Sequence, residues 1–411
     1  MFYVSAITSA GTAGGQALKS IARDIFWRML LTFTTALSAG CAHSVTSPRA
    51  ARPVNIYVVG QDLDAIRGYY NSGCCEAPDG TTAYVTLYNV LDTEDNYGGL
   101  GVSPNLTPTV SEAGWGSGPV SAWKSAKEFD GHYLAIGLSI TEQYEKDGLN
   151  RIAAGEFDRE IAHLTAFARA TDKTVLLRIG YEFDGHWNAG YDNPVHFVAA
   201  WKRIVDQMRA QGATNVRFIW QASTSPIDDI LDRSHDDIAN WYPGDDYVDW
   251  VGASWFVSPD NMPTTPLVTY KPPSARVLMD EILTFARAHG KPVMIAELSP
   301  QGFDLKRKSR SFISPLWDGP PGTGRHDVTN QQIWSLWFQP FLDYLAANDD
   351  VIDAIAYINV NWDAQPMWAT PYANGYWGDT RLEVNPVLSA RWNKAIGDWR
   401  DAGTTKNRGK Q

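Results

Sequence analysis

The chain of 411 residues is predicted to fold as a (β/α)8 barrel, a TIM-barrel form of the α/β class, from three observations. Eight short runs rich in Val, Ile, Leu and Ala recur between residues 54 and 360. They lack the polar alternation of half-solvated strands, which is the pattern of a parallel sheet covered on both faces. Segments with a helical apolar period separate them, and eight strand–helix units imply closure. An open doubly wound sheet is the alternative, but no Gly-rich phosphate loop follows the first run.

The elements follow in order. Residues 1–41 read as an export leader: Lys19, Arg23 and Arg28 precede the apolar segment Met29–Gly40, too short to span a bilayer, and then Cys41. Leu37-Ser-Ala-Gly-Cys41 resembles a bacterial lipoprotein cleavage box, with an ordinary signal peptide cut nearby as the alternative. Either reading exports the mature chain, as a bacterial lipoprotein or a secreted protein of the periplasm or cell surface. Residues 42–53 have no apolar period and form a tether, and the barrel domain runs over 54–400. Its strands are expected at Val54–Gly60, Ala83–Tyr88, Tyr133–Leu138, Val175–Ile179, Val216–Gln221, Val248–Trp255, Val293–Leu298 and Ala354–Val360. Helices are marked by Ile161, Leu164 and Phe167 within Phe157–Arg169, by the Asn193-Pro194 start before Phe197, Trp201, Ile204, Val205 and Met208, and by Ser274–His289 stopping at Gly290. Further helices cover Asn330–Ala347 and Val387–Trp399, and the tail 401–411 is expected to fray.

Composition narrows the function. The formal charge of −11, with no basic stripe, excludes a nucleic-acid binder, which needs clustered cations to displace counterions. Trp 17, Tyr 18 and Phe 15 make the chain rich in rings, many just past strand ends, where flat faces stack on sugars. Of the three cysteines, the adjacent Cys74 and Cys75 form either a vicinal disulfide or two small half-buried side chains. They lack zinc-site spacing, and the eight histidines include no His-x-His, so neither metal nor cofactor is expected. Gly319-Pro-Pro-Gly-Thr-Gly-Arg-His326 imitates a phosphate loop without its Lys and Ser/Thr or a preceding strand.

Chemistry concentrates at two strand ends. Arg178-Ile-Gly-Tyr181-Glu182-Phe-Asp184-Gly-His-Trp187 closes strand four, and Val293-Met-Ile-Ala-Glu297-Leu lies in strand seven. Barrel sites are built at the C-terminal strand ends, so Glu182 and Glu297 share one mouth. Two carboxyl groups there are the minimum equipment for cleaving a glycosidic bond. Trp187, Trp220, Trp255 and Trp362 are candidates for stacking walls. Gln61, Asp62, Gln221, Asn359 and Asn361 are candidates for sugar hydroxyls, with a helix cap as the other use of Asp62. The loop after strand eight adds Trp368, Tyr372, Tyr376, Trp377 and Asp379.

These segments, with Trp241-Tyr-Pro-Gly-Asp-Asp-Tyr-Val-Asp-Trp-Val-Gly252, resemble glycoside hydrolase clan A, and most closely family 26, the β-mannanases and related β-glycanases. The resemblance spans about residues 54 to 400. It implies Glu182 as general acid/base, Glu297 as nucleophile and retention of configuration through a glycosyl-enzyme. Arg178, if it lies beside Glu297, would hold the nucleophile ionised, with a structural salt bridge inside the barrel as its other use. The resemblance also implies a β-linked, mannan- or glucan-like polysaccharide or oligosaccharide as substrate. Tyr181 and Asp184 stand where the family has His and Asn, and Trp255 falls about where a strand-six tyrosine meets the nucleophile. A barrel that only binds glycans, and a hydrolase for an α- or furanosidic linkage, are the competing readings.

Overall fold

The computed structural model describes residues 55–191, 193–256, 270–311, 325–369 and 377–408. Eight strands form a closed, all-parallel barrel: β1 (Ile56–Gly60), β2 (Gly80–Thr86), β3 (Tyr133–Ser139), β4 (Thr174–Ile179), β5 (Val216–Ala222), β6 (Trp250–Trp255), β7 (Val293–Leu298) and β8 (Ile352–Ile358). Each pairs with its sequence neighbours and β8 pairs with β1, the order that a right-handed crossover helix after every strand produces. The helices after them are α1 (Leu63–Ser72), α2 (Ala122–Lys127), α3 (Asp158–Ala170), α4 (Pro194–Ala210), α5 (Pro226–Asp232), α6 (Ala275–Ala288), α7 (Gln339–Ala347) and α8 (Pro386–Arg408). α7 is entered through Asn330–Ile333 and a π-turn at Trp334–Phe338.

Two apolar layers follow from strand alternation. Ile56, Val58, Ala135, Leu176, Ile219, Trp250, Met294, Ala296, Ala354 and Ala356 fill the lumen. Their sequence neighbours, among them Tyr57, Leu177, Phe218, Trp220, Val251 and Tyr357, join the helices in a larger outer core. Small residues make room in the lumen: a Cβ at Gly60 would stand 1.6 Å from Thr82 Oγ1. Helix starts are set by side-chain caps. Asp62, Ser121, Asn193, Ser225 and Ser274 each accept from backbone amides one turn on, and Thr329 forms a capping box with Gln332.

The strands differ from expectation at their edges. β2 begins at Gly80, three residues early, because Gly80 passes so close to Tyr133 that a Cβ would meet its carbonyl oxygen at 2.2 Å. β8 is shifted two residues toward the N-terminus, and α8 continues past Trp399 to Arg408. Arg400 on that helix ties to Asp79 and to the Ala77 carbonyl. Cys74 and Cys75 form a disulfide just beyond the C-cap Gly73 of α1. Cys41 with the leader, the tether 42–53, Tyr372, Tyr376 and most of the phosphate-loop imitation lie outside the described residues. Among the described residues no helix is long and apolar enough to cross a membrane.

Candidate active site

Glu182 stands three residues past β4 with φ 53°, in the left-handed region that only a supported non-glycine residue holds. The support comes from its own loop. Its carbonyl accepts from the Gly185 amide at 2.9 Å and from Asn188 Nδ2 at 2.7 Å. The carboxyl group, 8% exposed, accepts from Ser254 Oγ at 2.7 Å through Oε1 and from Trp187 Nε1 at 2.9 Å through Oε2. Burial pushes its pKa up to about 8, with the nearby Glu297 charge adding to the rise and the two donors opposing it. Burial and the Glu297 charge both favour the protonated form of Glu182.

Glu297 is aimed into the mouth by a β-bulge. Met294 and Ala296 point into the lumen, so strict alternation would turn Glu297 outward. Between Ile295 and Glu297, however, β7 carries one residue more than β6, where Ala253 pairs with Ile295 and Ser254 with Glu297. Against β8 the same extra residue appears between Ile295 and Leu298. Glu297 Oε1 then accepts from Tyr84 Oη at 3.0 Å and from Arg178 Nη1 in a buried ion pair. The Arg178 guanidinium, fully buried, lies 5.2 Å from the Tyr84 ring centre and 5.3 Å from that of Tyr181. Aromatic faces thus solvate a cation that water does not reach.

Arg178 also donates to Gln221 Oε1 at 3.0 Å, and Gln221 Nε2 donates to Ser254 Oγ at 3.1 Å. A continuous hydrogen-bonded chain therefore joins the two carboxyl groups across β7, β4, β5 and β6. Tyr84 and Ser254 were not singled out by sequence reasoning. Both sit at lumen-facing positions of their strands, which alternation would have marked had β2 and β6 been read residue by residue.

The remaining candidates divide. Arg178, Tyr181, Trp187 and Gln221 gather around the two glutamates. Trp220 does not: it is fully buried on the helix side of β5, stacked 4.5 Å from Phe183, with Nε1 donating to the Trp241 carbonyl at 3.0 Å. Trp255 also points away, packing on Phe341 and Tyr344, because alternation gives the inward place on β6 to Ser254. The expected stacking and nucleophile contacts of these two tryptophans are thereby corrected. Trp362 is 2% exposed beneath Phe256, Trp368 and Trp377, and donates to Thr380 Oγ1 at 3.1 Å.

Of the polar candidates, Asp62 caps α1 through Ala65 and accepts from Gln365 Nε2 at 3.0 Å, while Gln61 is 8% exposed at the end of β1. Asn359 bridges Glu383 and the Leu382 amide, and Asp184 accepts from the Ser223 amide and hydroxyl, tying the β4 and β5 loops together. Burial raises the pKa of Asp62 and Asp184 to about 6 in each case. Among the described residues no group of three or more His, Cys, Asp or Glu is arranged to hold a metal ion.

Comparison with known proteins adds the lineage. The family described as glycosyl hydrolase family 26 matches residues 132–273, a span holding Glu182, Gln221 and Ser254. A β-1,3-xylanase of a Vibrio species is 31% identical over 373 residues, covering 90% of this chain and 71% of that protein. A β-1,3-xylanase of an Alcaligenes species is 30% identical over 371 residues, covering 90% and 69%. The family 26 β-mannanase structure of Bacteroides ovatus matches at 12% identity over 85% of this chain and 90% of that one, with a TM-score of 0.48. With that family match and those two relatives aligned along nearly its whole length, the chain belongs to glycosyl hydrolase family 26 and is a glycoside hydrolase.

Proposed function

We propose that the protein cleaves a β-1,3-linked xylan by a retaining double displacement, with Glu182 as general acid/base and Glu297 as nucleophile. The observation that carries the roles is the unlike setting of the two carboxyl groups. Glu182 is buried, and burial together with the Glu297 charge favours its protonated form. Glu297 lies against the Arg178 guanidinium. An acid able to protonate the leaving oxygen, facing a carboxylate able to attack the anomeric carbon, is what the first step needs. Esterification of Glu297 then removes the negative charge that helps raise the pKa of Glu182. Ser254 and Trp187 remain as donors to its anion, so Glu182 becomes the base that draws a proton from water in the second step.

The substrate reading rests on the activity for which the two relatives above are named. It replaces mannan, the default that the family resemblance implied. Release of reducing ends from β-1,3-xylan, β-1,4-xylan, mannan and β-glucan, with the product anomer followed by NMR, tests both parts. Turnover confined to a polymer other than β-1,3-xylan would reject the substrate, and an inverted anomer would reject the mechanism. Export belongs to the same proposal, supported by the basic, apolar and small-residue order before Cys41. Cys41→Ser should release the protein from membranes, whereas unchanged membrane association would overturn the lipid anchor.

A further inference from the structure

The hydroxyl of Ser254 lies between the two halves of the site, and the direction of its hydrogen bonds is dictated by chemistry. Arg178 only donates, so the Gln221 oxygen it meets must be the acceptor, and the amide nitrogen must face Ser254. Ser254 Oγ therefore accepts from Gln221, and its own proton is left for Glu182 Oε1 at 2.7 Å. Each link is buried: Arg178 and Gln221 are 0% exposed and Ser254 1%. A hydroxyl free to rotate would donate or accept with equal ease. This one is polarised in a single sense by a guanidinium that also holds Glu297.

We infer that Ser254, oriented by Gln221 and Arg178, is a positioning residue that fixes the acid/base carboxyl of Glu182 and favours its anionic form, so that it sets the pH range and the second step of the reaction. The inference rests on the reading of Glu182 as acid/base. The charged and titratable groups acting on that carboxyl include Glu297 from β7, Tyr181 in the turn after β4 and Asp184 on its own loop, while Arg178 from β4 and Tyr84 from β2 bond to Glu297. Among the described residues, Ser254 and Trp187 are the side chains that donate to the Glu182 carboxyl. They act against burial and against the Glu297 charge.

Ser254→Ala removes one donor and leaves the other. A hydrogen bond to a charged group is worth enough to move a pKa by about one unit, so the pKa of Glu182 should rise by about that much. The alkaline limb of kcat/KM should move up with it. At pH values below the pKa of Glu182 in the glycosyl-enzyme, hydrolysis of an activated aryl β-xyloside, limited by its second step, should slow about tenfold, because the base is then less often ionised. Ser254→Thr keeps the hydroxyl and should restore both. Gln221→Met, which leaves the hydroxyl but frees its rotation, should give a smaller shift in the same direction.

Two readouts on the intact protein separate the possible failures. Carbon-13 NMR titration of labelled glutamate carboxyls, assigned with Glu182→Gln, reads the pKa without turnover, and the pH–rate profile reads the acid/base. An unmoved Glu182 titration in Ser254→Ala, or one that Ser254→Thr fails to restore, overturns the role of Ser254. A titration that moves while the alkaline limb stays in place overturns instead the reading of Glu182 as acid/base. Both moving together, and both returning with threonine, is the expected result.

Discussion

Ser254 on β6 lies opposite Glu297 on β7 because β7 holds one extra residue between Ile295 and Glu297. That insertion brings the candidate nucleophile to the lumen beside a strand whose inward hydroxyl already holds the candidate acid. Without it Glu297 would share the outward side with Ile295, in the apolar layer beneath the helices. One bulge thus decides whether the barrel has a pair of carboxyl groups or a single one.

The two glutamates should fail differently. Glu297→Ala should lose several orders of magnitude in activity on every substrate, since no glycosyl-enzyme forms. Glu182→Ala should still attack aryl glycosides with good leaving groups and then stall. Azide, which needs no general base, should release it as a glycosyl azide of retained configuration. Near-native turnover of polysaccharide by both variants would refute the assignment, and a retained azide from Glu297→Ala would reverse it.

Tyr84→Phe keeps the ring beside Arg178 and deletes the hydroxyl that donates to Glu297. The charge-assisted bond is worth about 1.5–3 kcal/mol. If the bond is stronger when Glu297 is the departing carboxylate than in the resting enzyme, kcat should fall about 10- to 100-fold with little change in KM. A rise in KM at constant kcat would instead make Tyr84 a substrate contact.

Trp220 and Trp187 should separate in the opposite way from a shared stacking role. Trp220→Ala empties a fully buried site next to Phe183 and should cost about 3–5 kcal/mol in urea unfolding, with KM unchanged in the folded protein. Trp187→Phe retains an aromatic face but removes the indole donor to Glu182, so the alkaline limb of the pH profile should move up. A higher KM for Trp220→Ala would place that ring against substrate after all.

Stability should decline as pH rises from 4 to 8. Burial raises Asp62, Asp184 and Asp229 to about 6, and Asp228 and Glu182 to about 8. A carboxyl raised in the folded state binds more protons folded than unfolded. Its contribution is complete below the unfolded value near 4 and is lost as pH climbs through the folded one. Glu112, held low by Arg67 and Lys124 against its own burial, works the other way, and its contribution fades below about pH 4. Urea midpoints against pH should therefore peak near 4–5, and Asp228→Asn should flatten the fall between 6 and 8. A midpoint that rises from pH 5 to 8 would contradict these shifts.

The barrel was legible because its evidence is local and repeated. Doubly buried strands leave unbroken apolar runs, the helices between them keep a 3.6-residue stripe, and signals such as Asn193-Pro194 and Ser274 mark helix starts at single residues. Glu182 and Glu297 were legible for a related reason, since a carboxylate at or just past the end of an apolar strand has few places to go but the mouth. What those signals do not carry is the direction of each side chain at a strand end. There, a one-residue offset exchanges lumen for outer layer, so Ser254 rather than Trp255 takes the inward place on β6, and Trp220 becomes core. The partners of the two carboxyl groups come from β2, β4 and β6 and from the turn that returns Trp187, with Gln221 of β5 linking two of them. Only closure of the barrel brings Tyr84 to Glu297, 213 residues away in the chain. Strand composition therefore determines that a barrel with two acidic strand ends forms, and its curvature, its register and the bulge in β7 decide which neighbours favour the acid form of one and set the other against a cation.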